Sequence, residues 1–389
     1  MKKQLDSYSM LIVGKYFQTL EDYVNIICVN SKYIDMLDKY HYNPIPITQK
    51  QLKYFSHLET QYLYSPDDEI LKGIQRITVE YRVEYSQYLS MIHNYKNKMK
   101  AIKFLRIEYS LYDVDEFGCD IPQEVNMLGY CSFGRMNQEM LCIPDQIKLL
   151  SPRCCYESSF QKIMVSESIR ELPIAMCYKC IQLQSIVIPS SIGCIKEFCF
   201  QKCTSLKSIQ LPTTISYIGN NCFDGCSSLS SIQLPDSISV LNERIFSNCI
   251  SLKHIHFPSL LTKIRHKCFF NCKSLSSIKY YPQDKNIHFS IPYHISLLLN
   301  KQGFICHHLK YTSYDRILCN NIIPDDIHSI EKYCFACLPS LKELTLPTTL
   351  TKIGKGCFYY SFNIENISFP SSLKELKHEI FSNDYHSFL

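Results

Sequence analysis

Apolar and polar positions along this chain recur in a block of fixed length. Pro189, Pro212, Pro235 and Pro258 stand 23 residues apart, and each opens a stretch with the same order of apolar, Cys-Phe and Ser-Leu positions. From Pro212 the block runs through Ile215, Ile218, Gly219, Cys222-Phe223, Cys226 and Leu229 to Ile232 and Leu234. Between Leu206 and Leu211 the apolar Ile209 and Leu211 alternate with Ser208 and Gln210, the period of a half-buried strand. Proline then ends the strand because it has no N–H to give the ladder. Cys222 and Cys226 lie four residues apart around Phe223, so a short helical turn would bring both thiols to one side. One block cannot offset its own ordering entropy, and blocks of this length bury their apolar faces by stacking.

The spacing returns at Pro324, Pro347 and Pro370, with Cys334-Phe335, Cys357-Phe358 and Phe381 in register. Pro144 and Pro122 open looser copies. About eleven units are expected from residue 120 onward. The pattern Leu-x-x-Ile-x-Leu-Pro-x-x-Ile-x-x-Ile-Gly-x-x-Cys-Phe-x-x-Cys-x-Ser-Leu resembles the BspA-like leucine-rich repeat family. The resemblance implies an α/β-type solenoid of about 23-residue units, with short strands on a concave face. It also implies protein binding, and surface adhesion as in bacterial relatives.

The ends differ from the array. Residues 1–60 carry apolar positions at helical spacing from Tyr8 to Leu37, with Thr19 before Glu21-Asp22 as an N-cap. This small helical cap is similar to the helical N-terminus of eukaryotic BspA-like proteins. It also resembles an F-box in outline, although the early Leu-Pro and the later Trp of that module are missing. Residues 61–119 form a capping segment with a strand near 77–85, where Ile77, Val79, Tyr81, Val83 and Tyr85 alternate with polar residues. Asp67-Asp68-Glu69 suit the first turn of a helix. Residues 120–389 form the array, interrupted around 283–323. Inside the interruption Ile291–Gly303 suits a short helix with a glycine C-cap, and Leu309–Thr312 a displaced strand.

Composition narrows the function. Hydrophobic content of 46% and charge of 20% describe an ordinary folded chain. The net charge of +5 comes without a basic block beyond four lysines between Lys96 and Lys103, so nucleic acid is not expected as a partner. The apolar run Met10–Val13 is too short for a signal peptide, and no membrane span is expected. A cytoplasmic protein, with the nucleus as an option, is the expectation. The 21 cysteines fall mostly on two repeat slots that other copies fill with Ile245, Ile380 or Leu338. Such slots want a small apolar side chain, which a reduced thiol supplies. No cofactor and no metal site are expected.

No phosphate-cradling loop, nucleophile elbow or zinc-protease motif occurs, so the chain is not expected to be an enzyme. The outward strand slots form the candidate binding surface: Ser208, Gln210, Ser231, Gln233, His254, His256, Ser277, Lys279, Glu343 and Thr345. They vary while the inward slots stay fixed, as recognition over a constant scaffold requires. The reading is a non-enzymatic scaffold gripping a partner protein. Its alternatives are a ubiquitin-ligase substrate receptor, docked through the F-box-like N-terminus, and a surface adhesin.

Overall fold

The computed structural model describes residues 5–95, 101–282, 286–287, 290–373 and 380. The chain divides into two compact units, Met1–Ser132 and Phe133–Leu389.

The first unit opens with helices Ser7–Gly14 and Leu20–Val29. Thr19 caps the second through a reciprocal capping box with Asp22, which satisfies two of the free N–H groups at the helix start. Tyr23, Met36, Tyr40 and Phe55 fill the core beneath them, and the Tyr40 hydroxyl donates to the Leu11 carbonyl at 3.0 Å. Parallel strands follow: Thr60–Leu63, Arg76–Val79 and Ala101–Phe104 form one sheet. Val83–Glu84, Ile107–Tyr109 and Met127–Leu128 form a second ladder.

Two expectations fail here. The strand near 77–85 is two strands, because Val79 pairs with Leu63 and Phe104 whereas Val83 pairs with Ile107. The intervening Glu80–Arg82 carries the chain from one ladder to the other, and Tyr85 already starts helix Tyr85–Tyr95. Asp67-Asp68-Glu69 start no helix; the Asp68 carboxylate instead accepts the N–H groups of Tyr64 and Ser65 at 2.6 and 3.1 Å and closes a turn. Of the lysine run, residues 96–100 lie outside the described residues.

The second unit is a solenoid of stacked turns. Each regular turn carries a short strand such as Ser231–Gln233 and a second, two-residue strand such as Val240–Leu241. Ser231–Gln233, His254–His256 and Ser277–Lys279 pair in parallel, as do Met140–Cys142, Lys162–Met164 and Ser185–Val187. The inward slots are buried as the pattern requires, including Ile209, Ile232, Ile255 and Ile278. Phe200, Phe223, Phe246 and Phe269 stack in one column, with ring centroids 5.5–5.7 Å apart and planes within 14° of parallel.

Two local readings need correction. Leu206–Leu211 keeps its alternation but forms no strand: one sheet stops at Val187 and the next begins at Ser231. Periodicity reports which side chain is buried, not whether neighbouring backbones come within bonding distance. The Cys-Phe segment is not a helical turn either. Each copy holds two residues in the left-handed region, such as Asn221 (φ 56°) and Gly225 (φ 79°), or Phe198 (59°) and Lys202 (61°). An α-helix cannot continue through such residues. Alternate N–H groups bond sideways to the next turn, Phe200 N–H to Cys222 O and Phe223 N–H to Ile245 O, both 2.9 Å, while the others close local turns such as Cys226 N–H to Phe223 O at 3.1 Å.

The interruption is a second copy of a module already present in the first unit. Strand Ile291–Pro292, helix Tyr293–Asn300, strands Ile305–Cys306 and Leu309–Tyr311, helix Ser313–Leu318 and strand Ser329–Ile330 follow in order. Val83–Glu84, Tyr85–Tyr95, Ala101–Phe104, Ile107–Tyr109, Leu111–Phe117 and Met127–Leu128 follow in the same order. Ser110 and Thr312 each cap their helix reciprocally with an aspartate three residues on, Asp113 and Asp315. Those carboxylates also reach the start of the preceding helix, Asp113 at Ser86 N–H (2.9 Å) and Asp315 at His294 N–H (2.8 Å). The expected helix and displaced strand within the interruption are both present, and Gly303 has φ +81°. Phe381 lies outside the described residues.

Candidate functional site

Parallel pairing turns six of the ten outward residues into two rows. Ser231, His254 and Ser277 lie side by side, and Gln233, His256 and Lys279 form the adjacent row. All six are at least partly exposed, since the residue between each pair is the buried one. The Tyr281 ring stands edge-on to His256 with centroids 5.4 Å apart, and it is 68% exposed. Ser208 and Gln210 are exposed beside these rows without belonging to a strand. Glu343 and Thr345 belong to a different ladder, paired with Asn366 and Ser368.

Three features of this surface escaped the sequence reading. Cys142, Met164 and Val187 lie in register on the upstream sheet and leave an exposed, largely apolar row. Their side chains occupy the outward slots, where the repeat pattern alone predicts only variability. The second, two-residue strands carry outward residues of their own, Glu171, Cys194 and Tyr217. Glu197 accepts from the Tyr217 hydroxyl at 2.7 Å and pushes its pKa up to about 12.

The third feature is a cavity of about 410 Å³ where the duplicated module meets the repeats. His266, Ser290, His308, Lys310, His328 and Lys352 are among its lining residues, with Glu331 its one carboxylate. Burial pushes Lys310 below the usual lysine range, Lys352, Lys263 and Lys332 act in the same sense, and Glu331 opposes them.

An apparent catalytic pair lies nearby. His294 Nδ1 is 2.7 Å from Asp315 Oδ1, the arrangement of a base and its orienting carboxylate. Asp315 is at the same time the helix cap, accepting from Thr312 N–H and Oγ1. The space beside the pair is about 10 Å³, room for one water and no substrate. The pair is structural.

The thiols are core atoms. All 21 cysteines are free, and thirteen are buried. Burial pushes Cys199, Cys222 and Cys268 well above the ordinary thiol range and Cys272 up to about 12. The second slot asks for more than a small apolar group. The thiols of Cys203, Cys226, Cys249 and Cys272 each donate to a carbonyl of the preceding turn at 2.9–3.1 Å. In a later copy Ser361 does the same to Phe335 O at 2.6 Å. Among the described residues no group of three or more His, Cys, Asp or Glu is placed to hold a metal ion. None of their helices is long and apolar enough to cross a membrane.

Stacked turns with short parallel strands and a constant apolar lining define a leucine-rich repeat protein. The profile described as BspA type leucine rich repeat region matches residues 109–193, 171–294 and 310–387. The chain therefore belongs to the BspA-type leucine-rich repeat family. Among solved structures, a leucine-rich repeat protein from Bacteroides ovatus is 20% identical, with a TM-score of 0.42, covering 82% of this chain and 74% of that one. One from Eubacterium ventriosum is 14% identical, with a TM-score of 0.40 and 90% of each chain covered. The T. pallidum leucine-rich repeat protein is 22% identical, with a TM-score of 0.37, covering 43% of this chain and 84% of that one. No curated protein sequence matches significantly.

Proposed function

We propose that the protein is a non-enzymatic scaffold that binds a partner protein through the strand face of its repeats. The observation that carries this reading is the pair of in-register exposed rows, Ser231-His254-Ser277 and Gln233-His256-Lys279, beside the exposed Tyr281 ring. A rigid ladder presents its side chains at fixed spacing with little ordering cost on binding, and an exposed tyrosine is a common anchor residue in protein interfaces. The free, buried thiols suit a reducing compartment, which supports a cytoplasmic or nuclear location.

The test is affinity capture with the full-length protein and a His254→Glu/Lys279→Glu/Tyr281→Ala variant, read by mass spectrometry. At least one partner should be lost from a variant that melts like the parent. Identical captured sets would remove the reading.

A second reading is favoured by the N-terminal helices. Tyr8, Tyr16, Val29 and Ile34 are more than 60% exposed there, which suits docking onto a further protein, as a ligase substrate receptor of eukaryotic type does. Tyr8→Ser/Val29→Ser in the full chain should then release a ligase scaffold subunit from the captured set. Absence of such a subunit from the parent's set counts against it.

A further inference from the structure

The cavity beside the duplicated module has a charge arrangement that the scaffold function leaves unused. Glu331 is already engaged: its Oε1 lies 2.5 Å from His266 Nδ1 and accepts the Lys267 N–H at 3.4 Å, and its Oε2 accepts the Ser313 N–H at 3.4 Å. Facing it are three lysines. Lys332 has an exposed partner in Glu243 at 3.7 Å, whereas Lys310 and Lys352 make no ion pair among the described residues.

Neutral donors complete the set. His328 Nδ1 and Ser290 Oγ are buried there with no hydrogen-bond partner among the described residues, and the His308 ring stands edge-on to His328 at 6.0 Å. Orphaned buried polar atoms and the partly buried, unpaired Lys310 ammonium are costly, and the exposed Lys352 adds a second positive charge at the rim. An anion with several oxygens satisfies both at once, through charge-assisted hydrogen bonds. Two unpaired ammonium groups call for a dianion, and four separate donors would use every lone-pair site of a single carboxylate while a phosphate's oxygens keep acceptor capacity to spare. The volume of about 410 Å³ lies within the range of small-molecule sites and exceeds a free phosphate ion.

We propose that this cavity binds a phosphorylated small molecule, its phosphate held between the Lys310 and Lys352 ammonium groups, the His328 ring and the Ser290 hydroxyl. The site is independent of the strand-face interaction: none of its residues belongs to the two rows. It is built from five separate segments, at residues 266, 290, 308–310, 328–332 and 351–354, so the duplicated module creates it by docking between the preceding and the following turns.

Isothermal titration calorimetry on the full-length protein tests the proposal, with inorganic pyrophosphate as probe and citrate as a carboxylate comparator at equal ionic strength. Pyrophosphate should bind at least about tenfold more tightly than citrate. Lys352→Met, at an exposed position that leaves the core intact, should weaken pyrophosphate about tenfold, and Lys310→Met by as much or more. Lys279→Met, on the strand face, should leave it unchanged. Absence of pyrophosphate binding, equal affinity for citrate, or an unaffected Lys352→Met variant would each overturn the proposal.

Discussion

The Cys226 thiol donates to the carbonyl oxygen of Phe200, 3.1 Å away in the preceding turn. The bond ties two stacked copies together at a fully buried position and recurs at Cys203, Cys249 and Cys272. It separates two accounts of the slot. If only size and apolarity mattered, Cys226→Val would be nearly neutral. If the donor matters, Cys226→Ala and Cys226→Val should both lower stability by about 0.5–1.5 kcal/mol, because the Phe200 carbonyl loses one of its two donors and keeps only the Cys203 N–H at 3.1 Å. Cys226→Ser, which keeps a donor as Ser361 does, should cost less than either. Urea unfolding of the three variants reads the order, and a neutral valine would dismiss the donor account.

Gly219 marks where adjacent turns come closest. A Cβ added there would sit 2.4 Å from the Glu197 backbone nitrogen, and backbone cannot swing aside as a side-chain tip can. Gly219→Ala should therefore destabilise by about 1–3 kcal/mol, the range for overpacking. Gly193, which meets nothing within 4 Å, is the matched control, and its alanine variant should lie within about 0.5 kcal/mol of the parent. Equal melting temperatures for the two variants would contradict the close approach.

Lys310 gives a pH dependence with a defined sign. Burial, the largest cause, lowers its pKa in the folded state from the ordinary lysine value of 10.5, so between the two values the unfolded chain binds more protons. Stability then rises with pH across that window, is fully gained above 10.5, and is lost as pH falls through the folded value. Relative to Lys310→Met, the parent should gain stability as pH climbs towards 10.5. Parallel pH–stability curves for the two proteins would show that the lysine is not desolvated as described.

The thiols should divide by exposure when the native protein is alkylated. Cys28, Cys142 and Cys337 are exposed and should react first. Cys199, Cys222 and Cys268, fully buried and held protonated by burial, should react only on unfolding, since the thiolate is the nucleophile. Peptide mapping after a short exposure to iodoacetamide reads the order. Early labelling of Cys222 would mean that the Cys-Phe column is open to solvent.

Much of the array was legible because its inward slots obey one rule. Ile232, Ile255 and Ile278 recur at one spacing, and all three are buried. The outward rows then follow from strand alternation, and the parallel register makes neighbours of Ser231, His254 and Ser277. The left-handed turns were not legible, since Phe198, Lys202 and Arg244 adopt positive φ without the glycine that signals it. The role of Cys226 was hidden because aliphatic residues share the neighbouring slots. The second module had a visible signal that counting in blocks of 23 passed over. Tyr109-Ser110-x-Tyr112-Asp113 and Tyr311-Thr312-x-Tyr314-Asp315 are each followed by a proline at the same distance, Pro122 and Pro324. The basic cavity could not be read at all, because its lysines and histidines converge from segments far apart in the chain.

That duplication gives the chain two starting points. Each carries its own capped helix pair, locked by Asp113 or Asp315, and the second is followed at once by the neighbouring rings of Tyr311, Phe335 and Phe358. In a linear array each turn contacts its neighbours, so turns ahead of the one carrying His266 and Lys267, which Glu331 of the second start engages, can be gained or lost without disturbing either start. The length of the recognition surface is thereby free to change while the chemistry at each start stays the same.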